Sequence, residues 1–233
     1  MTPERISRLH EVLQRRQPDL TVITDFVHKQ RNLSALVRIS DAVGIMQLHA
    51  VIGDEDYQAF RGTAMGAHNW VEVEHYATLP EAITPLRQQG MQIVAAHPVT
   101  TAVDYHTLDY TKPTALLLGA ERRGVSAEAA AAADYCVKIP MVGMVHSLNV
   151  SVAAGVILAE AQRQRDAAGL YAQCRIDAAT YERLFFEWGH PSVRDYCNER
   201  GLHYPPLNDA GEIDNPAAWY AAVRRGDAPR REN

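Results

Sequence analysis

Ala115-Leu116-Leu117-Leu118-Gly119-Ala120-Glu121-Arg122-Arg123-Gly124-Val125-Ser126-Ala127-Glu128-Ala129 runs from an apolar strand, through a turn bracketed by glycines, into an alanine-rich helix. Ser126 is placed to cap that helix, and Glu128 stands in its first turn, where a negative charge suits the helix dipole. The same alternation recurs on either side. Short β-rich runs fall at Leu20 to Ile23, Leu48 to Ile52, Trp70 to Val73, Gln92 to Ala96, Ala115 to Leu118 and Tyr135 to Ile139. Helical stretches fall at 32–43, 79–89, 126–133 and 149–168. Strands alternating with helices predict an α/β fold with a mostly parallel sheet. Ligands of such sheets sit beyond the carboxyl ends of the strands. The loops after Ala96, Leu118 and Ile139 are therefore where chemistry is to be sought.

The flanks differ from this middle. At the N-terminus Ile6, Leu9, Val12 and Leu13 share one helical face with arginines between them, and Pro18 stops the pattern. After 168 charge increases, and helical segments near 177–188, 192–200 and 216–225 surround a Pro- and Gly-rich stretch. The last arginines, Arg224, Arg225, Arg230 and Arg231, read as a mobile tail. This gives three segments: an N-terminal helix at 1–19, an α/β domain at 20–168 and a C-terminal helical extension at 169–233.

Net charge is -5, which argues against a uniformly basic surface but permits a local basic patch. Of 23 basic residues only Lys29, Lys112 and Lys138 are lysines, leaving 20 arginines, whose planar fork matches phosphate oxygens. A GC-rich genome accounts for that bias equally well. Seven basic residues lie between 32 and 159, six precede that stretch and ten follow it, so the flanks carry most of the positive charge. Cys136, Cys174 and Cys197 form no CxxC and read as buried, reduced thiols, with no zinc site suggested. No apolar leader and no run of about 18 apolar residues is present, so a cytoplasmic protein with no membrane contact is expected.

Three segments stand out. The 118–124 turn has the placement of a phosphate or cofactor loop, but Val125 and Ser126 follow its second glycine where a P-loop needs Lys and Ser/Thr, and no GxGxxG occurs. Ile139-Pro140-Met141-Val142-Gly143-Met144-Val145-His146-Ser147-Leu148-Asn149 is an apolar loop leading into a helix that Ser147 or Asn149 caps. Ser147 has no GxSxG elbow, which removes the hydrolase reading. The helix after it is apolar nearly all round, with Ala153, Ala154 and Gly155 allowing another backbone close. Third, Arg31 to Gly44 forms a helix burying Leu33, Leu36, Val37 and Val43. Six residues separate Asn32 from Arg38, about 600° of rotation, so they lie on different stripes.

Together these segments resemble the three motifs of the SpoU/TrmH family of 2′-O-ribose methyltransferases, in the SPOUT superfamily. The first is Asn32-Leu33-Ser34-Ala35-Leu36-Val37-Arg38 with Ser40-Asp41-Ala42-Val43-Gly44; the second is Leu118-Gly119-Ala120-Glu121-Arg122-Arg123-Gly124; the third is Ile139-Pro140-Met141 through Ser147-Leu148-Asn149-Val150. The resemblance covers roughly residues 20–160. It implies a sheet whose C-terminal part is tied in a deep trefoil knot, an exception to the rule against threaded chains. It also implies S-adenosyl-L-methionine as cofactor, held around Ala96, His97, Gly119, Ile139 and Leu148. Ala96 stands where a hydroxyl residue is expected, leaving a backbone contact there. Arg38 is implied as the central catalytic residue, with Asn32, Glu121, Ser147 and Asn149 orienting it, the ribose and the third loop.

A homodimer with its catalytic centre at the subunit interface is likewise implied, and no metal. The flanks are similar to those of the branch that methylates guanosine 18 in the tRNA D-loop, making tRNA the expected partner. Arg8, Arg15, Arg16, Arg31, Arg163 and Arg165 are the candidate RNA contacts. Alternatives are a SpoU-type enzyme for ribosomal RNA or the tRNA wobble ribose, and a non-catalytic RNA-binding protein on the same fold.

Overall fold

The computed structural model describes residues 1–53 and 66–231. The chain divides into two compact units, Arg15–Arg175, and Met1–Gln14 together with Ile176–Asn233.

In the first unit a seven-stranded sheet is built from β1 (Leu20–Asp25), β2 (Gln47–Val51), β3 (Glu72–Tyr76), β4 (Gln92–Ala96), β5 (Val103–Asp104), β6 (Thr114–Gly119) and β7 (Tyr135–Lys138). Its order is β3-β2-β1-β6-β4-β7-β5, and every pairing is parallel. Central β1 is buried throughout and β6 in all but its last residue, as near-continuous apolar strands covered on both faces should be. Successive side chains alternate between faces. Val22, Val94, Leu116 and Leu118 pack with Leu33, Leu36 and Val37 of α2 (Gln30–Ala42) and with Ala154, Ile157 and Leu158 of α5 (Val150–Ala167). Ile23, Ile93, Ala95, Ala115 and Leu117 pack instead with Leu79, Ile83 and Leu86 of α3 (Leu79–Gln88) and Ala129 of α4 (Ala127–Ala132).

Helix ends follow the local chemistry. Ser126 accepts from the Ala129 amide at 3.1 Å and caps α4 as its sequence position suggests. Asn149, rather than Ser147, caps α5, accepting from the Ser151 amide at 2.9 Å. After α2, Gly44 takes φ +84° and its backbone lies so near Arg15 that a Cβ would stand 2.7 Å from the Arg15 carbonyl oxygen. The two-residue β5 is too short to show a periodicity in the sequence.

Burial removes two of the candidate RNA contacts. Arg16 and Arg165 are both fully buried and cannot reach an external phosphate. Arg16 donates to Asp41 Oδ1 at 2.7 Å and to the Ile45 carbonyl at 3.0 Å. Arg165, on α5, donates through Nε to the Tyr110 carbonyl at 2.9 Å. Its Nη1 reaches Gln17 Oε1 and Asp19 Oδ1, and its Nη2 reaches the carbonyls of Asp19 and Lys112, so all three nitrogens of the guanidinium are used. Arg175 also binds the Asp19 carboxylate. Burial pushes the Asp19 pKa up, but the hydrogen bonds from Arg175 and Arg165 prevail and hold it below the usual carboxylate range.

Arg165→Ala is expected to cost on the order of 3–5 kcal/mol in urea unfolding, because buried carbonyls and part of the Asp19 charge lose their partner. Since the folded pKa of Asp19 lies below its unfolded value, its contribution is complete above the unfolded pKa and is lost as pH falls through the folded one. The gap between wild type and variant should therefore narrow in strong acid; a constant gap would place the loss elsewhere.

In the second unit α1 (Pro3–Gln14) packs on α6 (Ala178–Gly189). The His10 ring stacks on Phe185 with centroids 4.5 Å apart, His10 Nδ1 lies 2.6 Å from the Tyr181 hydroxyl, and Arg5 donates to the Trp188 carbonyl at 2.9 Å. The segments expected at 1–19 and 169–233 are not separate: residues 1–14 and 176–233 share one unit. α7 (Pro191–Arg200) and α8 (Pro216–Arg225) follow. The expected mobile tail is corrected: Leu202 and Arg230 form an antiparallel bridge, the Arg231 amide donates to the Gly201 carbonyl at 2.9 Å, and Ala228 joins Cys197 and Leu202 in a small core. Of the cysteines only Cys197 is buried; Cys136 is partly exposed and Cys174 exposed, a second correction to the sequence reading. Among the described residues no helix is long and apolar enough to cross a membrane.

Candidate active site

β6, β4 and β7 lie side by side in the sheet, so the three loops leaving their carboxyl ends converge. Between them lies a cleft of about 530 Å³, within the size range of small-molecule and cofactor sites. Ala96, His97, Gly119, Ile139 and Leu148 all line it, and Leu118, Val137, Val150, Ala153 and Ile157 add apolar wall. The turn after β6 is held tightly. The Gly124 amide donates to the Ala120 carbonyl at 2.8 Å. At its far end the Ser126 amide donates to Asp25 Oδ2 at 2.8 Å, Asp25 itself standing opposite Gly119 in the β1–β6 register. A Cβ at Gly119 would lie 2.1 Å from the Gly124 carbonyl carbon, so this position admits only glycine without backbone movement.

A chain of hydrogen bonds runs along one edge of the cleft. Asn149 Nδ2 donates to Asn32 Oδ1 at 3.1 Å, and Asn32 Nδ2 donates to Glu121 Oε1 at 2.6 Å. Glu121 Oε1 also accepts the Lys29 amide at 3.2 Å. Residues far apart in sequence, from the start of α2, the turn after β6 and the cap of α5, are thus tied together. Burial pushes the Glu121 pKa up, but backbone amides and the Asn32 amide outweigh it and hold the carboxyl below its ordinary range. Glu121 is therefore a fixed anionic acceptor that orients Asn32, and a poor base.

Ser147 lines the cleft and is exposed. Arg38 is exposed on α2, and six residues of helix place it about 9 Å along the axis from Asn32. It lies outside the cleft lining. Arg31, beside Asn32, and Arg15 are exposed. Arg163 is exposed but binds Glu160 through two nitrogens at 2.8 and 2.7 Å, and Arg8 pairs with Glu11 at 2.7 Å. Lys29, Arg122, Arg123 and His146 also line the cleft; Arg122 and Arg123 belong to the second motif and His146 adjoins Ser147, whereas Lys29 lies three residues before Asn32, outside the motifs. Asp25 lies outside them too: nothing local to the sequence signals a carboxylate that pins a loop 101 residues away. Among the described residues no cluster of His, Cys, Asp and Glu could hold a metal ion.

A parallel α/β domain with a small-molecule cleft at adjacent strand ends, edged by an Asn-Asn-Glu chain and with an arginine on the same helix, defines the class. Comparison with known proteins narrows it. Residues 19–159 match the SpoU rRNA Methylase family, and residues 163–216 match the family described as SpoU, rRNA methylase, C-terminal. The chain is 45% identical over 226 residues to the tRNA (guanosine(18)-2′-O)-methyltransferase of Escherichia coli strain K12, covering 96% of this chain and 99% of that one. The crystal structure of the A. aeolicus TrmH/SpoU tRNA modifying enzyme superposes with a TM-score of 0.76 at 39% identity, over 82% of this chain and 97% of that one. An AdoMet-bound rRNA methyltransferase from Sinorhizobium meliloti superposes with a TM-score of 0.57 at 32% identity, over 66% of this chain and 59% of that one. The chain belongs to the SpoU methylase family.

Proposed function

We propose that this protein is an S-adenosyl-L-methionine-dependent methyltransferase acting on the ribose 2′-oxygen of guanosine 18 in the tRNA D-loop. The observation that carries the chemistry is the Asn149-Asn32-Glu121 chain at the edge of a cofactor-sized cleft. The substrate rests on likeness along nearly the whole of the E. coli tRNA enzyme, against about two thirds of this chain shared with the ribosomal RNA enzyme.

The cleft suits the cofactor. The glycine at 119 leaves the backbone open, apolar walls from Ile139, Leu148 and Ile157 suit an adenine and a methyl-bearing chain, and Ala96 offers only backbone. When bound, the cofactor supplies a methyl carbon on a sulfonium, whose departure leaves a neutral thioether. The protein has to align the attacking hydroxyl with that carbon and provide a path for its proton. Arg38 acts through its planar, charged fork, which carries donors and no acceptor and so is no proton acceptor. Its fork clamps the phosphate beside the target ribose, and the proton passes to phosphate or water. Asn32 is locked at both ends of its amide and holds its rotamer for the ribose; Ser147 and Asn149 position the third loop.

The same reading includes the trefoil knot over the C-terminal part of the sheet, a cytoplasmic location and a homodimer. Val142, Met144, Val145 and Val152 are all exposed between β7 and the first turn of α5, an apolar surface that a second copy would cover. A mass of two chains in sedimentation equilibrium is expected; a single-chain mass would remove the dimer.

With tritiated S-adenosyl-L-methionine and a full set of RNA transcripts, label is expected in tRNA with guanosine 18 in its D-loop. Primer-extension mapping should find the methylated ribose at that nucleotide. Methylation at a ribosomal or wobble site would replace the substrate, and binding without methylation would replace the enzyme by an RNA-binding protein.

A further inference from the structure

The second unit holds a basic groove that the methyl-transfer chemistry does not use. It has a volume of about 220 Å³, and its rim carries Arg200 from the end of α7, Arg224 from the last turn of α8 and Arg230 from the segment folded back after α8. Tyr196 forms one wall, with Leu202 and Val223 among the apolar lining, and among the described residues no carboxylate lines it. The folding back is fixed by backbone: the His203 amide donates to the Pro229 carbonyl at 3.0 Å, Leu202 bridges Arg230, and Ala228 is buried.

The charges are distributed unevenly. Arg225 pairs with Asp227 and Arg200 with Glu199, but among the described residues Arg224 and Arg230 have no carboxylate within ion-pair distance. The Arg200 guanidinium lies 3.9 Å from the centroid of the Tyr196 ring. A cation resting on an aromatic face is partly pre-ordered and leaves its outer plane open for stacking. Holding Arg224 and Arg230, which have no such carboxylate partner, at one small groove costs repulsion that a bound anion would relieve. Flat arginine planes with an aromatic wall are what nucleic-acid backbones and unstacked bases engage.

We propose that this groove binds a phosphodiester of the tRNA backbone, with an adjacent base against the Arg200–Tyr196 stack, as an RNA contact separate from the methylated nucleotide. The proposal rests on the tRNA reading above. It also reassigns part of the RNA-contact role from the buried Arg16 and Arg165 to Arg200, Arg224 and Arg230.

Filter-binding titration of full-length protein with a tRNA transcript across a salt series tests it. R224Q/R230Q should lower tRNA affinity about tenfold near 0.1 M salt and reduce the slope of log affinity against log salt by about one, for the one phosphodiester no longer neutralised. In steady state KM for tRNA should rise while kcat holds. R224K/R230K keeps both charges and should keep the slope. Wild-type affinity and slope in the Gln variant would overturn the proposal, and so would lost affinity with an unchanged slope, which marks disturbed packing. Absence of methylation by the wild type would count against the functional reading alone, because the binding titration needs no turnover.

Discussion

Arg38→Ala is expected to reduce methyl transfer by about 10³-fold, the scale at which a single positioned charge or proton-handling group acts in a transition state. The protein should remain folded. Arg38 is exposed on α2, whereas the helix is anchored by the fully buried Leu33, Leu36 and Val37 on its other face, so truncation removes no core volume. A stability change within about 0.5 kcal/mol is expected for such a site. Cofactor affinity should hold as well, because Arg38 is not part of the cleft lining. Arg38→Lys separates charge from geometry: if the fork grips a phosphate through two nitrogens, lysine restores only part of the rate. Single-turnover labelling with excess tRNA provides the measurement. Wild-type rates in the alanine variant would take Arg38 out of the mechanism.

Gly119→Ala is expected to weaken S-adenosyl-L-methionine binding by about 10²-fold, equivalent to about 2.7 kcal/mol and so near the upper end of what overpacking costs. The added methyl would stand 2.1 Å from backbone atoms of Gly124 and Val125, which are not free to rotate away as a side chain could. The turn is also held at both ends, by the Gly124-to-Ala120 hydrogen bond and by Asp25 on Ser126, so strain passes into the cleft wall. Overpacking of this kind costs about 1–3 kcal/mol in stability. Equilibrium titration with the cofactor, beside a melting curve, separates the two effects. Unchanged affinity would mean that the turn after β6 does not shape the cofactor site.

Much of the α/β unit was legible because periodicity survives without tertiary information. Ala115 to Leu118 reads as a strand from its unbroken apolar run and Leu33, Leu36, Val37 as a helix face from their spacing, and both pack as read. The element order placed the three loops at strand ends. What could not be read was the sheet order that makes β4, β6 and β7 neighbours, since pairing among parallel strands is set by long-range packing. The arginines mark the other limit. Arg163 and Arg165 look alike in sequence, yet on α5 one is exposed and the other fully buried.

The sequence by itself determined the alternation of strands and helices, which is written in local spacing, and its three motifs carried the resemblance to the SpoU methylase family. Only the tertiary structure decided that Asn32, Glu121 and Asn149 form one hydrogen-bonded chain across more than a hundred residues of sequence. It also decided which arginines face solvent. The physical reason is common to both: hydrogen-bond partners and burial depend on what lies across space, and residues separated along the chain meet only when the sheet assembles.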